Sequence, residues 1–347
     1  MGLVLRRVQH IGNAMTLFFL LILGLVLLIA GGEFLVRSAV GLARRLGVPP
    51  LLIGLTIVAL GTSAPELMVA VEASLKGVPD IVTGGVIGSS IANILLVLGA
   101  SALITPIAAQ MRMINRDGLF LIGVSAFIAG LALTGSITLL AGIGMICAYV
   151  LYVAYSYWSE RLVITPVEAT HKDAASHTDD DEDMTGIPKR YFTIIPMLCL
   201  GLGGVLWGAE LLVDAATEIA RAFGVSEAVI GLTIVAVGTS LPELAASIIA
   251  ALRGRPEITL GNVVGSNITN ILLVLGVSGS ISPVPIAPQI ASFDVWVMLA
   301  ATVVLVPVLV SGQRLSRVEA ALFLACYAIY TTALYAGWPQ YFVELLG

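Results

Sequence analysis

The chain has 347 residues and a formal net charge of −5; 58% of it is hydrophobic and only 11% is charged, for a mean hydropathy of +1.02. Soluble domains carry about a quarter charged residues, so an ordinary water-soluble fold is excluded. The uncharged runs Ile81–Met111, Gly118–Ser159 and Ile258–Phe293 each exceed the ~20 residues that cross a bilayer, and the chain reads as an integral membrane protein.

Apolar runs broken by charges and Gly/Pro clusters predict ten spans in chain order. The first covers 14–42. Arg6, Arg7 and His10 precede its apolar stretch Leu17–Gly32, which continues into Glu33 with no small-residue cleavage site, so it reads as a span and not as a removed leader. The second covers 50–76, the third 82–106, the fourth 117–134 and the fifth 136–157. Ser159–Arg190 is polar, contains the acidic run Asp179–Asp183 and reads as a solvated loop. The sixth to tenth spans cover 192–220, 227–252, 259–282, 292–312 and 317–338. Asp117 and Asp294 open their spans and read as N-caps. Cys147, Cys199 and Cys326 stand far apart in apolar segments and read as small buried hydrophobes, with no disulfide or zinc spacing.

An internal repeat organises these elements. Gly54–Glu66 (GLTIVALGTSAPE) and Gly231–Glu243 (GLTIVAVGTSLPE) agree at 11 of 13 positions, and Gly84–Gly99 (GGVIGSSIANILLVLG) and Gly261–Gly276 (GNVVGSNITNILLVLG) agree at 12 of 16. Both pairs share an offset of 177 residues, which also relates Glu33 to Glu210, Pro106 to Pro283 and Asp117 to Asp294. Each copy holds five spans, and an odd number inserts the second copy upside down. The expected architecture is therefore an all-α polytopic membrane protein of ten helices in two inverted five-helix repeats. Its parts are 1–158, a loop at 159–190, and 191–347. Such repeats place a substrate site near the midplane between the halves. Twelve lysines and arginines flank one side of the ten spans against four on the other. The positive-inside rule then puts both termini outside and the 159–190 loop in the cytoplasm.

Ionisable groups at membrane depth are costly and mark ion pathways. Glu66 and Glu243 are such groups, at equivalent positions of the second and seventh spans. Inverted copies bring equivalent residues together, and two converging carboxylates make a hard, oxygen-rich site suited to Ca²⁺. Thr62 and Ser63 lie four and three residues from Glu66, as Thr239 and Ser240 do from Glu243. Pro65 and Pro242 cannot donate to the carbonyls of Gly61 and Gly238, and freed carbonyls at this depth are tolerated where they line a cavity. Ser89 with Asn93, and Ser266 with Asn270, add neutral donors at i and i+4, suited to a weaker site such as one for sodium. Gly84, Gly88, Gly261 and Gly265 permit close helix approach. Glu33 and Glu210 read as paired or interfacial acids in preference to an ion entrance. Glu72, whose counterpart is Ile249, reads as peripheral.

GTSAPEL with GSSIANILLVLG, and GTSLPEL with GSNITNILLVLG, resemble the two alpha-repeats of the cation/calcium antiporter superfamily, most closely its prokaryotic sodium/calcium exchangers. The resemblance covers all ten predicted spans. It implies Ca²⁺ bound by Glu66, Glu243 and the carbonyls of Thr62 and Thr239. It further implies Na⁺ bound by Ser63, Ser240, Ser89, Ser266 and the carbonyls of Ala59 and Ala236, with Asn93 and Asn270 lining the centre. Asn at both of the last two positions resembles the potassium-independent branch, and the G-N-A-x-E pattern of proton-coupled relatives is absent. The expectation is a secondary antiporter exchanging Ca²⁺ for Na⁺ by alternating access in the inner (plasma) membrane, with the first and sixth spans sliding against the core. Its partners are these two ions and the lipid bilayer; no cofactor, nucleic acid or protein partner is implied. A proton-coupled antiporter remains an alternative, since Glu66 and Glu243 can themselves take protons, and a cation channel is a further one. No nucleophile–base pair or histidine cluster points to an enzyme.

Overall fold

The computed structural model describes residues 2–161, 187–223, 236–336 and 338. Helices dominate, as they must where backbone N–H and C=O groups have no water to bond. They are α1 (Gly2–Leu46), α2 (Pro50–Thr62), α3 (Ala64–Lys76), α4 (Pro79–Ile104), α5 (Met111–Thr134) and α6 (Leu139–Arg161), then α7 (Tyr191–Ala222), α8 (Ala236–Thr239), α9 (Leu241–Leu252), α10 (Pro256–Ile281), α11 (Ile290–Gly312) and α12 (Arg317–Tyr335). Eight of these are long and apolar enough to cross a membrane, and the bent pair α2–α3 makes a ninth candidate. The chain is an all-helical polytopic membrane protein. The acidic run Asp179–Asp183 and the first part of the expected seventh span lie outside the described residues.

Two small antiparallel ladders, which the sequence did not announce, join distant connections. Ile107–Ala108 (β1) pairs with Arg314–Leu315 (β4), and Ser136–Ile137 (β2) with Val284–Pro285 (β3). Both ladders tie a connection in one sequence copy to a connection in the other. β1 and β3 are 177 residues apart, whereas β2 and β4 are 178 apart. The extra residue is Gln313, which follows Gly312 in the turn after α11 and takes the left-handed φ of 48°.

Asp117 and Asp294 are not N-caps, because α5 and α11 begin earlier than predicted. Asp117 lies in a wide π turn, Ile114–Gly118, and is fully buried. The Arg116 guanidinium donates to both its oxygens, and the Tyr152 hydroxyl of α6 donates at 2.9 Å. Asp294 closes the π turn Ile290–Asp294 and accepts from Tyr330 of α12 at 3.0 Å and Gln289 at 3.2 Å. An acid buried within a helical bundle requires such donors.

Packing follows the small residues. α1 and α7 lie together along their length, and a Cβ at Gly31 would come within 2.6 Å of Val205 N, one at Gly201 within 2.5 Å of Leu35 N. Gly261 and Gly265 of α10 likewise admit α2: a Cβ would lie 2.5 Å from Leu51 O or come still closer to Leu55 O. Gly84 and Gly88 differ, for no described atom lies within 3.4 Å of a Cβ at either. The counterpart of Leu51–Leu55, residues 228–232, is outside the described residues. The cysteines also depart from expectation. Cys147, Cys199 and Cys326 are free thiols exposed on the outside of the bundle, a surface that contacts lipid in a membrane-spanning helix.

Candidate cation site

The helices that carry the repeated motifs are broken or widened where the motifs fall. α2 and α3 meet at 43°, with Ser63 between them at φ −81°, ψ 5°; Ser240 separates α8 from α9 at φ −94°, ψ 4°. The cause is local, since Pro65 and Pro242 lack the N–H that would continue the ladder. The helix resumes with Leu67 N on Ser63 O at 3.1 Å and Leu244 N on Ser240 O at 2.9 Å. In α4 and α10, π turns run over Asn93–Leu98 and Thr269–Val274. Single π turns within α-helices are frequent at functional sites. α10 is the most enclosed candidate span, with 94% of its apolar window buried against 17% for α12, so its polar residues face protein.

The structure brings most of the expected residues together across the two copies. Glu66 is 7% exposed and Glu243 is 0% exposed, and the two carboxylates lie within electrostatic reach. Ser63 Oγ donates to Glu243 Oε1 at 3.3 Å. Thr62 Oγ1 donates to the Ala59 carbonyl and to Asn262 Oδ1, both at 3.3 Å, and stands 3.5 Å from Ser266 Oγ. Asn270 Nδ2 donates to Ser89 Oγ at 3.1 Å, while Asn93 Nδ2 donates to Asn267 Oδ1 at 3.2 Å. Two expected groups stand differently. The Ala59 carbonyl already accepts from Ser63 N at 3.0 Å as well as from Thr62. In the second copy Ser240 N bonds instead to Val237 O, so the turn that holds Ala236 and Thr239 is tighter than its counterpart.

What these bonds leave over is informative. Both oxygens of Glu66, Oε2 of Glu243, the side-chain carbonyls of Asn93 and Asn270 and the Ser240 hydroxyl are buried with no partner among the described residues. Buried polar atoms are almost always paired; five of these six are pure acceptors, against one unpaired donor in the same cluster, Asn267 Nδ2. The set is short of positive charge. Hard oxygen donors with two carboxylates fit a hard cation, Ca²⁺ or Na⁺, better than a soft one. Among the described residues no group of three or more His, Cys, Asp or Glu gathers to hold a metal.

Four residues in this cluster were missed. Asn262 receives Thr62 and donates to Ser247 Oγ at 3.1 Å and to the Glu243 carbonyl at 3.4 Å. Asn267 holds Asn93, and Thr269 reaches Tyr149 at 3.3 Å. The available signal was the set of mismatches between the copies. Asn262, Asn267 and Thr269 stand where the first copy has Gly85, Ser90 and Ala92, and Ser247 answers to Ala70.

A cavity of about 600 Å³ reaches the breaks, lined by Pro65, Thr239 and Pro242 and by Glu72, Glu210 and Asp214. Glu72 is exposed and pairs with Lys76 of its own helix, as a peripheral residue does, although it lines the mouth of this cavity, and Glu210 faces open space. Glu33 is paired, as expected, with Arg37 of its own helix and with Arg253 at 2.6 Å.

A family model described as sodium/calcium exchanger protein matches residues 16–158 and 193–336. The chain is 41% identical over 325 residues to the putative antiporter CaxA of Alkalimonas amylolytica, covering 92% of this chain and 98% of that one. It is 32% identical to the sodium/calcium exchanger MaX1 of Methanosarcina acetivorans, with the same coverage of 92% and 98%. To the inner membrane protein YrbG of Escherichia coli it is 35% identical, over 82% and 86% of the two chains. A solved structure of the sodium-calcium exchanger NCX_Mj superimposes with a TM-score of 0.77 at 32% identity, covering 93% of this chain and 99% of the other.

Proposed function

The chain belongs to the sodium/calcium exchanger protein family, and from that we propose that it exchanges Ca²⁺ for Na⁺ across the inner membrane by alternating access. The observation that carries this reading is the pair Glu66 and Glu243, supplied by the two copies of one motif, buried together with acceptor oxygens left unpaired. In this reading the chain forms ten spans in two inverted repeats, 1–158 and 191–347, with both termini outside and the 159–190 loop in the cytoplasm.

Glu66, Glu243 and the carbonyls of Thr62 and Thr239 hold Ca²⁺. Ser63, Ser240, Ser89, Ser266 and the carbonyls of Ala59 and Ala236 hold Na⁺, and Asn93 and Asn270 turn their side-chain carbonyls to the centre. The Ala59 carbonyl becomes a ligand once the Thr62 hydroxyl turns away from it. Two bare carboxylates in low dielectric carry a large solvation and repulsion cost. A bound cation removes it. Passage between states therefore requires an occupied site, and exchange is obligatory.

The test is uptake of radiolabelled Ca²⁺ into proteoliposomes loaded with Na⁺, with an imposed pH gradient as the parallel arm. Uptake should follow the sodium gradient, collapse when that gradient is dissipated, and need no potassium. Uptake driven by the pH gradient alone would establish the proton-coupled alternative. Ca²⁺ flux with no trans ion would establish a channel.

A further inference from the structure

The two faces of the bundle differ, and the residues that differ are counterparts under the 177-residue offset. On one face α1 closes on α9. A Cβ at Gly32 would lie 2.9 Å from Ile249 Cγ1, and the neighbouring Glu33 accepts from Arg253 Nε at 2.6 Å, just beyond the end of α9. The offset converts Gly32, Glu33, Ile249 and Arg253 into Ala209, Glu210, Glu72 and Lys76. On that second face α7 and α3 stand apart: Ala209, Glu210 and Glu72 line the cavity of about 600 Å³. There Glu210 has no hydrogen bond or ion pair among the described residues, and Lys76 bonds to Glu72 on its own helix.

The geometry points to a pair of alternating latches. Glu33–Arg253 holds one face shut in this conformation, and Glu210–Lys76 is the latch that forms when the other face shuts and Glu33–Arg253 parts. This rests on the alternating-access reading given above. The two latches are unequal. Shutting the second face presses Glu72 against Ala209, where the first face has Ile249 against Gly32. A carboxylate loses solvation there and an isoleucine does not. Lys76 must also serve two carboxylates, Glu72 and Glu210. The face bearing Lys76 is thereby biased to stand open, which is the conformation observed.

Spin labels at Leu75→Cys and Glu218→Cys report the width of this face. Both positions are exposed, and Cys147, Cys199 and Cys326 are first replaced by alanine. Double electron–electron resonance on the full chain in liposomes should show a long and a short distance. Arg253→Gln releases the first latch and should raise the short-distance population threefold or more. Glu72→Ile makes the second face resemble the first and should act in the same direction. Lys76→Gln should lower that population by a similar factor. Two distances whose populations ignore Arg253→Gln and Lys76→Gln would overturn the latch and leave alternating access standing. A single distance under every ion condition would overturn alternating access and the latch with it.

Discussion

At the scale of single residues, the cluster between the two motif copies leaves both oxygens of Glu66 and one of Glu243 without a donor among the described residues. Glu66→Gln and Glu243→Gln each keep the side-chain shape and remove one negative charge. Each should abolish Ca²⁺ exchange while the protein still inserts and elutes as a single species. Near-parental flux in either variant would remove that glutamate from the site. Asn262 is of another kind, since it is already satisfied by Thr62, Ser247 and the Glu243 carbonyl. Under the proposed function it acts on the cation through the groups it positions. Losing a buried network of this sort costs about 1–3 kcal/mol, so Asn262→Ala should raise the half-saturating Ca²⁺ concentration by roughly tenfold. Initial flux measured against Ca²⁺ concentration decides it, and an unchanged half-saturation point would reduce Asn262 to packing.

At the scale of elements, contact depends on glycine between α1 and α7 and on tyrosine between the peripheral helices. Gly31→Ala places a methyl 2.6 Å from backbone nitrogen, and overpacking of this kind costs about 1–3 kcal/mol. It should lower the apparent melting temperature in detergent by a few degrees. Gly203→Ala on α7 meets nothing within 4 Å and should leave that temperature unchanged. The Tyr–Asp pairs allow a graded comparison. Asp117 keeps two bonds from Arg116 when Tyr152 is changed to Phe, whereas Asp294 keeps only Gln289 when Tyr330 is changed. Tyr330→Phe should therefore be the more destabilising of the two, and equal melting temperatures would contradict this assignment.

At the scale of the whole molecule, neither half owns a site. Ser63–Glu243, Thr62–Asn262, Ser89–Asn270 and Asn93–Asn267 all cross from one copy to the other, as do both β ladders. Residues 1–158 and 191–347 produced as separate chains should therefore co-purify through a tag on one of them and restore flux together. Either alone should give none. Halves that fail to associate while the intact chain is active would show that the 159–190 connection is needed for assembly.

The sequence by itself determined the class of the protein and the identity of its acidic pair. Long uncharged runs have one stable home, and a duplicated GTSxPE with a carboxylate at membrane depth costs too much to stand there without use. The breaks at Ser63 and Ser240 were legible for the same reason, because proline removes a donor in any context. Tertiary structure decided the rest. Asp117 and Asp294 looked like caps until the helices were seen to start earlier, since a helix start depends on what the preceding residues pack against. Glu33 and Glu210 are equivalent in sequence, yet one is bridged to Arg253 and the other faces a cavity. Two copies of one motif adopt different contacts whenever the bundle stands open on one face and shut on the other, and that asymmetry is a property of packing between helices, which no single stretch of sequence contains.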